Sequence, residues 1–203
     1  MIFMKNRIAS TMTITSLSVA AMLFTPATVF AESITANASV TVQNSFTLAE
    51  TTPLSFGTVV AIANDNTAPD LATLVVSATS GTADVATQGT VASLVAISPG
   101  TPATFTVSGA APNTVLTITD ASAFQLTDPS STDTKVFDVS NFTKTVVTSG
   151  TPFTYDTDAT GTLVFNYGAT LSTSTPSGGA ASDNAIAYDN VTFTGTYTMQ
   201  VEY

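Results

Sequence analysis

Apolar and polar residues alternate along two long stretches of this sequence, one towards each end. In the first, Ser33–Leu48, the even positions are apolar except for Asn44, and the odd positions are Ser, Thr, Asn and Gln. Successive side chains of a β-strand point to opposite faces, so this pattern predicts a strand with one dry and one solvated face. The dry face consists of Ile34, Ala36, Ala38, Val40, Val42, Phe46 and Leu48.

The second stretch ends the chain and alternates with the opposite parity. The polar face carries four threonines, then Gln200 and Glu202. The pattern predicts a C-terminal strand over Val191–Tyr203. Its apolar face consists of Val191, Phe193, Gly195, Tyr197, Met199, Val201 and Tyr203.

Short apolar runs separated by Pro, Gly, Asn and Asp fill most of the chain between these stretches. Threonine accounts for 41 of the 203 residues, and its branched β-carbon suits a pleated sheet and crowds a helix. No convincing 3.6-residue apolar stripe appears. We therefore predict an all-β fold, an antiparallel sandwich in preference to a barrel. The short strands are predicted at Leu54–Val60, Thr73–Ala78, Val91–Ile97, Ala103–Ser108, Val115–Thr119, Val136–Val139, Thr145–Thr148 and Leu163–Tyr167.

Residues 1–31 are predicted to be a signal peptide. Lys5 and Arg7 form a short positively charged region, and Ile8–Phe24 carries no charge. Val29 and Ala31, at positions -3 and -1, fit cleavage by signal peptidase after Ala31. A transmembrane anchor is the alternative, but the stretch is rich in Thr and Ser and barely reaches spanning length. We expect residues 32–203 to form one exported, soluble domain with no transmembrane segment.

The composition excludes several classes of function. Four Lys and Arg stand against 14 Asp and Glu, a formal net charge of -10, which argues against nucleic-acid binding because phosphate recognition needs cations. Histidine, cysteine and tryptophan are absent, so no imidazole base, thiolate nucleophile, thiolate zinc site or disulfide can form. A mean hydropathy of +0.35 indicates a folded chain despite the scarcity of charge.

Catalysis would have to rest on carboxylates or lysines. Asp156 and Asp158 are two residues apart, which places them on one face of a strand, but a glycosidase also needs sugar platforms. A Ser–Lys dyad would need Lys135 or Lys144 buried beside a serine, and both have polar neighbours. Neither a nucleophile elbow nor a phosphate-binding glycine loop occurs. We expect no enzymatic activity.

Calcium is the one cofactor for which the sequence offers candidate ligands, because Ca²⁺ takes oxygen ligands from loops. No EF-hand spacing or nonapeptide repeat is present, and loop Asx residues more often close turns with their own side chains. We therefore expect no cofactor, with calcium as the alternative. The candidate ligands are Asp65 with its neighbours Asn64 and Asn66, Asp70, Asp156, Asp158, and Asp183–Asn184 with Asp189.

Four blocks of sequence carry a family resemblance. They are Pro53–Val59, Ala103–Gly109, Leu163–Leu171 with Gly168 inside it, and Phe193–Tyr203. In this order and spacing they resemble the DUF4402 family of secreted bacterial proteins across nearly all of residues 32–203. More loosely, the chain is similar to pilin and spore-coat-U-type domains handled by periplasmic chaperones and outer-membrane ushers. The resemblance implies an immunoglobulin-like sandwich used as a fibre subunit.

The first alternating stretch suggests how such a subunit assembles. Exposed sheet edges are usually blunted by charge or proline, and Ser33–Phe46 contains neither. Residues 32–48 are therefore a candidate donor strand, whose even side chains fill a groove in a neighbour while its backbone extends that sheet. The C-terminal strand is the expected pairing partner of a donor or a chaperone. The alternative is that the first strand pairs within its own domain.

We therefore predict a homopolymeric subunit of an extracellular fibre or surface matrix. No LPxTG-type sorting tail is visible, which favours the surface of a two-membrane bacterium. The alternative function is a secreted adhesin or carbohydrate-binding module that uses loops at one end of the sandwich. Tyr155, Tyr167 and Tyr188 are its candidate sugar-stacking residues, although each lies in or beside a predicted strand or loop signal.

Overall fold

The protein was analysed as a computed structural model that describes residues 32–40, 42, 45–66, 70–79, 81–130, 135–147, 154–174 and 184–203. The predicted signal peptide, residues 1–31, lies outside the described residues. The chain divides into two units, Met1–Val40 and Thr41–Tyr203. Among the described residues, none forms a helix long and apolar enough to cross a membrane.

The second unit is all-β, and its strands pair antiparallel, which confirms the predicted fold class. Its described residues contain twelve strands and no helix. They are β1 (Thr47–Thr52), β2 (Thr58–Asn64), β3 (Thr73–Val76), β4 (Val85–Thr87), β5 (Ser93–Ser98), β6 (Ala103–Ser108), β7 (Thr117–Thr119), β8 (Phe124–Leu126), β9 (Phe137–Val146), β10 (Leu163–Thr173), β11 (Ala185–Ala187) and β12 (Gln200–Glu202).

Strand β10 is the centre of the largest sheet, which has seven strands. On one edge β10 pairs with β9, which pairs in turn with β8. On the other edge, the first part of β10 pairs with β6 and the later part with β3. Strand β6 pairs in turn with the edge strand β1, and β3 pairs with the edge strand β4. A three-stranded sheet, β11-β2-β5, and the pair β12-β7 complete the described pairing.

The period of two decides which side chains form the core. In β6, Ala103, Phe105 and Val107 are buried while the residues between them are not. The smaller sheet packs on the larger one through a cluster that joins Leu94 of β5 to Leu171 of β10. A second cluster surrounds Phe105, Phe165 and Tyr167. The arrangement is sandwich-like.

Most predicted short strands are present, with differences at their ends. Ala103–Ser108 is confirmed with the predicted bounds, whereas the two strands predicted around Val136–Thr148 are one strand, β9. The polar residues Ser140 and Asn141 lie between the two predicted strands. Asn141 adopts a φ of 51° where the register with β10 shifts between Gly168 and Thr170, a bulge that asparagine tolerates. The prediction missed the three-residue strands β4, β8 and β11.

The strand predicted over Ser33–Leu48 is paired only from Thr47 onwards. Glu32–Val40 are exposed and belong to no strand, and Ile34, Val40 and Val42 are 93%, 86% and 70% exposed. An extended segment becomes a strand only when its backbone has a ladder partner, and the described part of this segment has none in its own chain. Of the predicted dry face, Ile34, Ala36, Ala38, Val40 and Val42 are exposed, Phe46 is half-buried, and Leu48 lies in β1.

The C-terminal stretch keeps the predicted alternation but not the predicted pairing. Phe193, Tyr197, Met199 and Val201 are half-buried, and the residues between them are exposed. The stretch is nevertheless paired only in β12 and at a bridge between Thr194 and Thr127. The prediction of one continuous strand is therefore wrong. Side-chain packing holds the stretch instead, because its aromatic rings lie against the core.

Candidate functional site

An open groove of about 990 Å³ runs between the first half of β2 and the C-terminal stretch. Its floor is apolar and belongs to the core, with Phe137 and Leu171 buried. An apolar groove beside unpaired strands is a typical place for an added strand to bind. One wall is formed by residues 54–62, the other by residues 187–195 and Tyr197, and the floor by Phe124, Leu126, Phe137 and Leu171.

The β2 wall exposes backbone groups that have no ladder partner. Thr58–Ile62 pairs with β5 on one side, while β11 reaches only Ile62–Asn64 on the other. Tyr188 N–H donates to the carbonyl of Ala61 at 3.2 Å, which shows that the backbone groups of Ala61 point away from β5. Those of Val59, two residues earlier, point the same way and so into the groove.

The C-terminal wall has a matching free edge. Thr194 exchanges two backbone hydrogen bonds with Thr127, each of 2.9 Å, so its backbone groups point away from the groove. Phe193 and Gly195, the neighbours of Thr194, belong to no ladder within the described residues, and both line the groove. The edge of β2 and the mostly unpaired C-terminal stretch therefore form two sides of the groove, and within the described residues no strand lies between them.

Neither edge has the usual protection against an added strand. Thr58–Ile62 and Val191–Tyr197 contain no charged residue and no proline, the two features that commonly block edge pairing. The apolar side chains of Val60 and Val191 are 55% and 44% exposed at the rim. Neither charge nor proline on these two walls therefore opposes the binding of an uncharged, extended segment.

Stacked aromatic rings close one end of the groove. The rings of Phe137 and Tyr188 stack with centroids 4.1 Å apart, and Phe193 meets Phe137 edge-on at 5.1 Å. The Tyr188 hydroxyl donates to the carbonyl of Val136 at 2.8 Å and accepts from the N–H of Ser174 at 3.0 Å. Burial raises the pKa of Tyr188 above its ordinary value, and the two hydrogen bonds hold its hydroxyl in place.

The chain enters the second unit beside its own C-terminus. The ring of Phe46 contacts that of Tyr203 edge-on, with centroids 5.5 Å apart. The Tyr203 hydroxyl accepts a hydrogen bond from the N–H of Ala111 at 3.1 Å. Phe46 and Tyr203, at the ends of the two predicted apolar faces, are thus brought together, and the contact fixes the point where the N-terminal segment leaves the domain.

The acidic calcium candidates are dispersed, and two of them close turns. Asp70 accepts backbone N–H groups from Thr90, Val91 and Ala92 at 2.6 to 3.0 Å, and a further bond from Asn64. The described residues hold no group of three acidic side chains that could share a metal ion. Calcium binding stays a prediction; Asp183 lies outside the described residues.

Because its carboxylate is held by backbone N–H groups, Asp70 has a pKa lowered from 3.8 to about 2. Its hydrogen bonds therefore stabilise the fold above pH 3.8 and are lost as the pH falls towards 2. We expect Asp70→Asn to be less stable than the native chain at pH 7, and the difference to narrow below pH 3.8. Urea unfolding at a series of pH values measures it, with Asp65→Asn as the control. A difference that does not change with pH would contradict this assignment.

The candidate catalytic residues have structural partners. Asp158 accepts from Thr160 and from the N–H of Thr162, which lowers its pKa. Asp156 is paired only through its backbone, at the bridge to Val115, and its buried Oδ1 has no hydrogen-bond partner within the described residues. The two lysines form ion pairs, Lys135 with Asp189 at 3.3 Å and Lys144 with Asp120 at 2.8 Å. These contacts account for both lysines and for Asp158 as parts of the fold.

The candidate sugar-stacking tyrosines are not exposed platforms. Tyr167 is fully buried, Tyr188 is stacked on Phe137, and Tyr155 packs edge-on against Phe165 with the Lys144 ammonium 5.9 Å from its ring centroid. Each ring contributes to the core or its margin.

A scan against protein-family profiles gives no match, and searches of curated proteins and of solved structures find no significant match. The resemblance to the DUF4402 family therefore stays a prediction. The β2 wall of the groove was missed by the sequence analysis, which predicted a strand at Leu54–Val60 but no unpaired edge there. The uncharged run Thr58–Ile62 was the signal for an unprotected edge.

Proposed function

We propose that this protein is a secreted structural subunit of an extracellular fibre or surface matrix, in which subunits join by β-strand addition through the N-terminal segment, Ser33–Gln43. One observation carries the proposal. The described residues of this segment alternate polar and apolar side chains, yet the apolar ones are 70% to 93% exposed at Ile34, Val40 and Val42. Apolar side chains left in water at this density mark a surface that is buried against a partner.

The energetic argument favours a strand as the buried form. Burying a Val or Ile side chain yields about 1.5–3 kcal/mol, and the segment presents five apolar residues on one face. Their period of two cannot form the apolar stripe of a helix. A sheet edge supplies both a floor for these side chains and backbone partners, so docking as a strand satisfies every group at once.

The remaining parts of the proposal concern export, the fold family and the assembly partners. The proposed signal peptide, residues 1–31, directs export, and the sandwich-like fold is proposed to be immunoglobulin-like, as the DUF4402 and pilin-like resemblance implies. A periplasmic chaperone and an outer-membrane usher are the proposed assembly partners, on the surface of a two-membrane bacterium. Without the leader, which contains Lys5 and Arg7, only Lys135 and Lys144 stand against 14 acidic residues, and this negative charge keeps unassembled subunits apart.

Deletion of Ser33–Val40 tests the function. The deletion leaves the second unit, Thr41–Tyr203, intact, so we expect a folded monomer that forms no fibres. Size-exclusion chromatography and negative-stain microscopy of the leaderless protein measure the result. The matched control replaces Ser33, Thr35, Asn37 and Ser39 with alanine, which keeps the apolar face, and we expect this variant to polymerise. Fibres formed by the deleted chain would refute the proposal.

A further inference from the structure

We infer that the solvent-facing side of the three-stranded sheet β11-β2-β5 binds the same side of a second copy of this chain, so that neighbouring fibres associate side by side. The inference rests on the proposed function in assuming fibres, but it concerns a different surface, because a strand added at a sheet edge leaves the face of that sheet uncovered. This surface, here called the outer face, carries the large apolar residues Val60 and Ile62 of β2 and Val95 and Ile97 of β5.

Strand pairing shows which side chains share the outer face. Val60 pairs directly with Val95, and residues directly opposite each other in a sheet lie on the same face. Ala61, between Val60 and Ile62, is buried against the core, so the two residues that flank it point to the opposite side. Val60, Val95 and Ile97 are 55%, 48% and 66% exposed. The outer face is therefore an apolar surface that spans two paired strands.

The sequences of β2 and β5 are those of strands covered on both sides. Val59–Ala63 and Leu94–Ile97 are uninterrupted apolar runs, whereas β6 alternates and places Thr104 and Thr106 on its solvent side. A strand with one solvated face alternates, and a strand buried on both faces reads as a continuous apolar run. The inner sides of β2 and β5 already meet the core. The continuous runs therefore indicate a second cover, on the outer face.

The chain itself has little left to provide that cover. From Thr41 onwards, the residues outside the described ranges include one large apolar side chain, Phe153, and are otherwise small or polar. The N-terminal segment, Ser33–Gln43, is one strand wide, whereas the outer face is three strands wide. We therefore expect the cover to come from another molecule.

Charge favours a second copy of this chain as that molecule. Without its leader the chain has two lysines and 14 acidic residues, so two copies repel each other in most orientations. Strands β2, β5 and β11 contain no charged residue, and burying them against each other desolvates no charge. A basic partner would instead be attracted to the acidic parts of the surface. Two copies related by a two-fold axis bring the same apolar residues together from both sides.

The size of the outer face limits the strength of a single contact. Three strands about 4.8 Å apart and about 20 Å long present roughly 300 Å², whereas each partner in a stable pair contributes about 800 Å². We therefore expect two isolated subunits not to remain together through this face. Along a fibre the face recurs on every subunit, and many weak contacts that form together hold two fibres side by side.

Bundling of fibres tests the inference. The test variant combines Val95→Thr and Ile97→Thr, which keeps two β-branched side chains but adds hydroxyls to the outer face; both positions lie outside the lining of the groove. The matched control combines Val85→Thr and Val115→Thr, which are 59% and 61% exposed on other parts of the chain. Circular dichroism verifies that both variants fold.

The full-length leaderless proteins are assembled, and bundles are separated from single fibres by low-speed sedimentation and counted by negative-stain microscopy. We expect the test variant to form as much total fibre as the native chain but roughly tenfold fewer bundles, because the loss at each contact is multiplied along the fibre. The control variant should bundle like the native chain.

Disulfide formation gives a second readout that needs no fibres, because the chain has no native cysteine. Residues close to a two-fold axis meet their own counterparts in the second copy, within reach of a disulfide. Full-length chains carrying Val60→Cys, Val95→Cys or Ile97→Cys are oxidised at high protein concentration and compared with Val85→Cys. We expect at least one outer-face cysteine to form dimers roughly tenfold faster than this control.

The contrary results distinguish the possible failures. Native fibres that stay single, or outer-face cysteines that crosslink no faster than Val85→Cys, would overturn the outer face as a contact. A chain carrying both Ala38→Cys and Ile97→Cys that closes internally would show that the N-terminal segment covers the face, and would overturn the second copy. A native chain that forms no fibres would overturn the proposed function, and the crosslinking comparison would still test the outer face.

Discussion

Replacing Tyr167 with alanine is expected to lower the free energy of unfolding by about 3–5 kcal/mol, the cost of removing a large buried aromatic ring. Tyr167 lies at the middle of β10 and is fully buried. Its ring stacks with Phe142 at 5.2 Å and with Tyr197 at 6.0 Å, and meets Phe105 edge-on at 6.1 Å. The ring therefore joins β6, β9 and the C-terminal stretch, and its loss leaves a cavity between all three.

Tyr167→Phe is the matched control for this prediction. The hydroxyl accepts a hydrogen bond from the N–H of Ala121 at 3.0 Å, so the control loses one buried bond and about 1–2 kcal/mol. Urea unfolding followed by circular dichroism measures both variants through their midpoints. If Tyr167→Ala cost no more than Tyr167→Phe, the ring would not be the packing centre that the structure indicates.

Gly57→Ala is expected to be the second most destabilising change, at about 3 kcal/mol or more, because two penalties combine there. Gly57 precedes β2 with a φ of 72°, in the left-handed region. A Cβ added to it would lie 2.3 Å from the carbonyl oxygen of Ser98 and 2.6 Å from that of Pro99. Both are backbone atoms, so relief requires the start of β2 to move away from the end of β5.

Gly109→Ala separates the two penalties. Gly109 has nearly the same φ, 79°, but no atom lies within 4 Å of an added Cβ, so only the conformational strain of about 1 kcal/mol applies. Thermal and urea unfolding of both variants give the comparison. Equal losses of stability would show that the contact with Ser98 and Pro99 relaxes easily. We also expect Gly57→Ala to weaken assembly, since β2 forms one wall of the groove.

The sequence predicts the fold well where one face of a strand meets the core. In β6 and in the C-terminal stretch the apolar parity identifies the buried side chains, because a slip of one residue would expose all of them. The threonine-rich polar positions show which face meets water. The same dependence on periodicity explains why β9 was predicted as two strands. The bulge at Asn141 breaks the alternation, and local sequence does not distinguish such a bulge from a turn.

The sequence does not reveal which strands pair with each other. The alternation of Ser33–Leu48 predicts a strand but not its pairing partner, and among the described residues of this stretch only Thr47 and Leu48 are paired. The groove likewise depends on β11 ending at Ala187 and on the following residues, up to Gly195, forming its second wall. These are long-range events, and no short window of residues contains them.

The role of individual carboxylates is equally non-local. Asp70 reads as a loop residue and a candidate calcium ligand, yet its oxygens are held by N–H groups some twenty residues later in the chain. The turn that presents those groups lies between β4 and β5, so its position depends on the long-range pairing of both strands. A sequence can therefore suggest which acidic residues occupy loops, but the fold determines which of them are already hydrogen-bonded.

The most direct test of the central claim is to add a synthetic peptide of Ser33–Gln43 to the chain lacking Ser33–Val40 and to follow backbone amides by NMR. The account predicts saturable binding, with the largest shifts and new exchange protection at Val59, Phe193 and Gly195. A peptide of the same composition with the alternation scrambled should not bind. The absence of saturable binding would contradict the account.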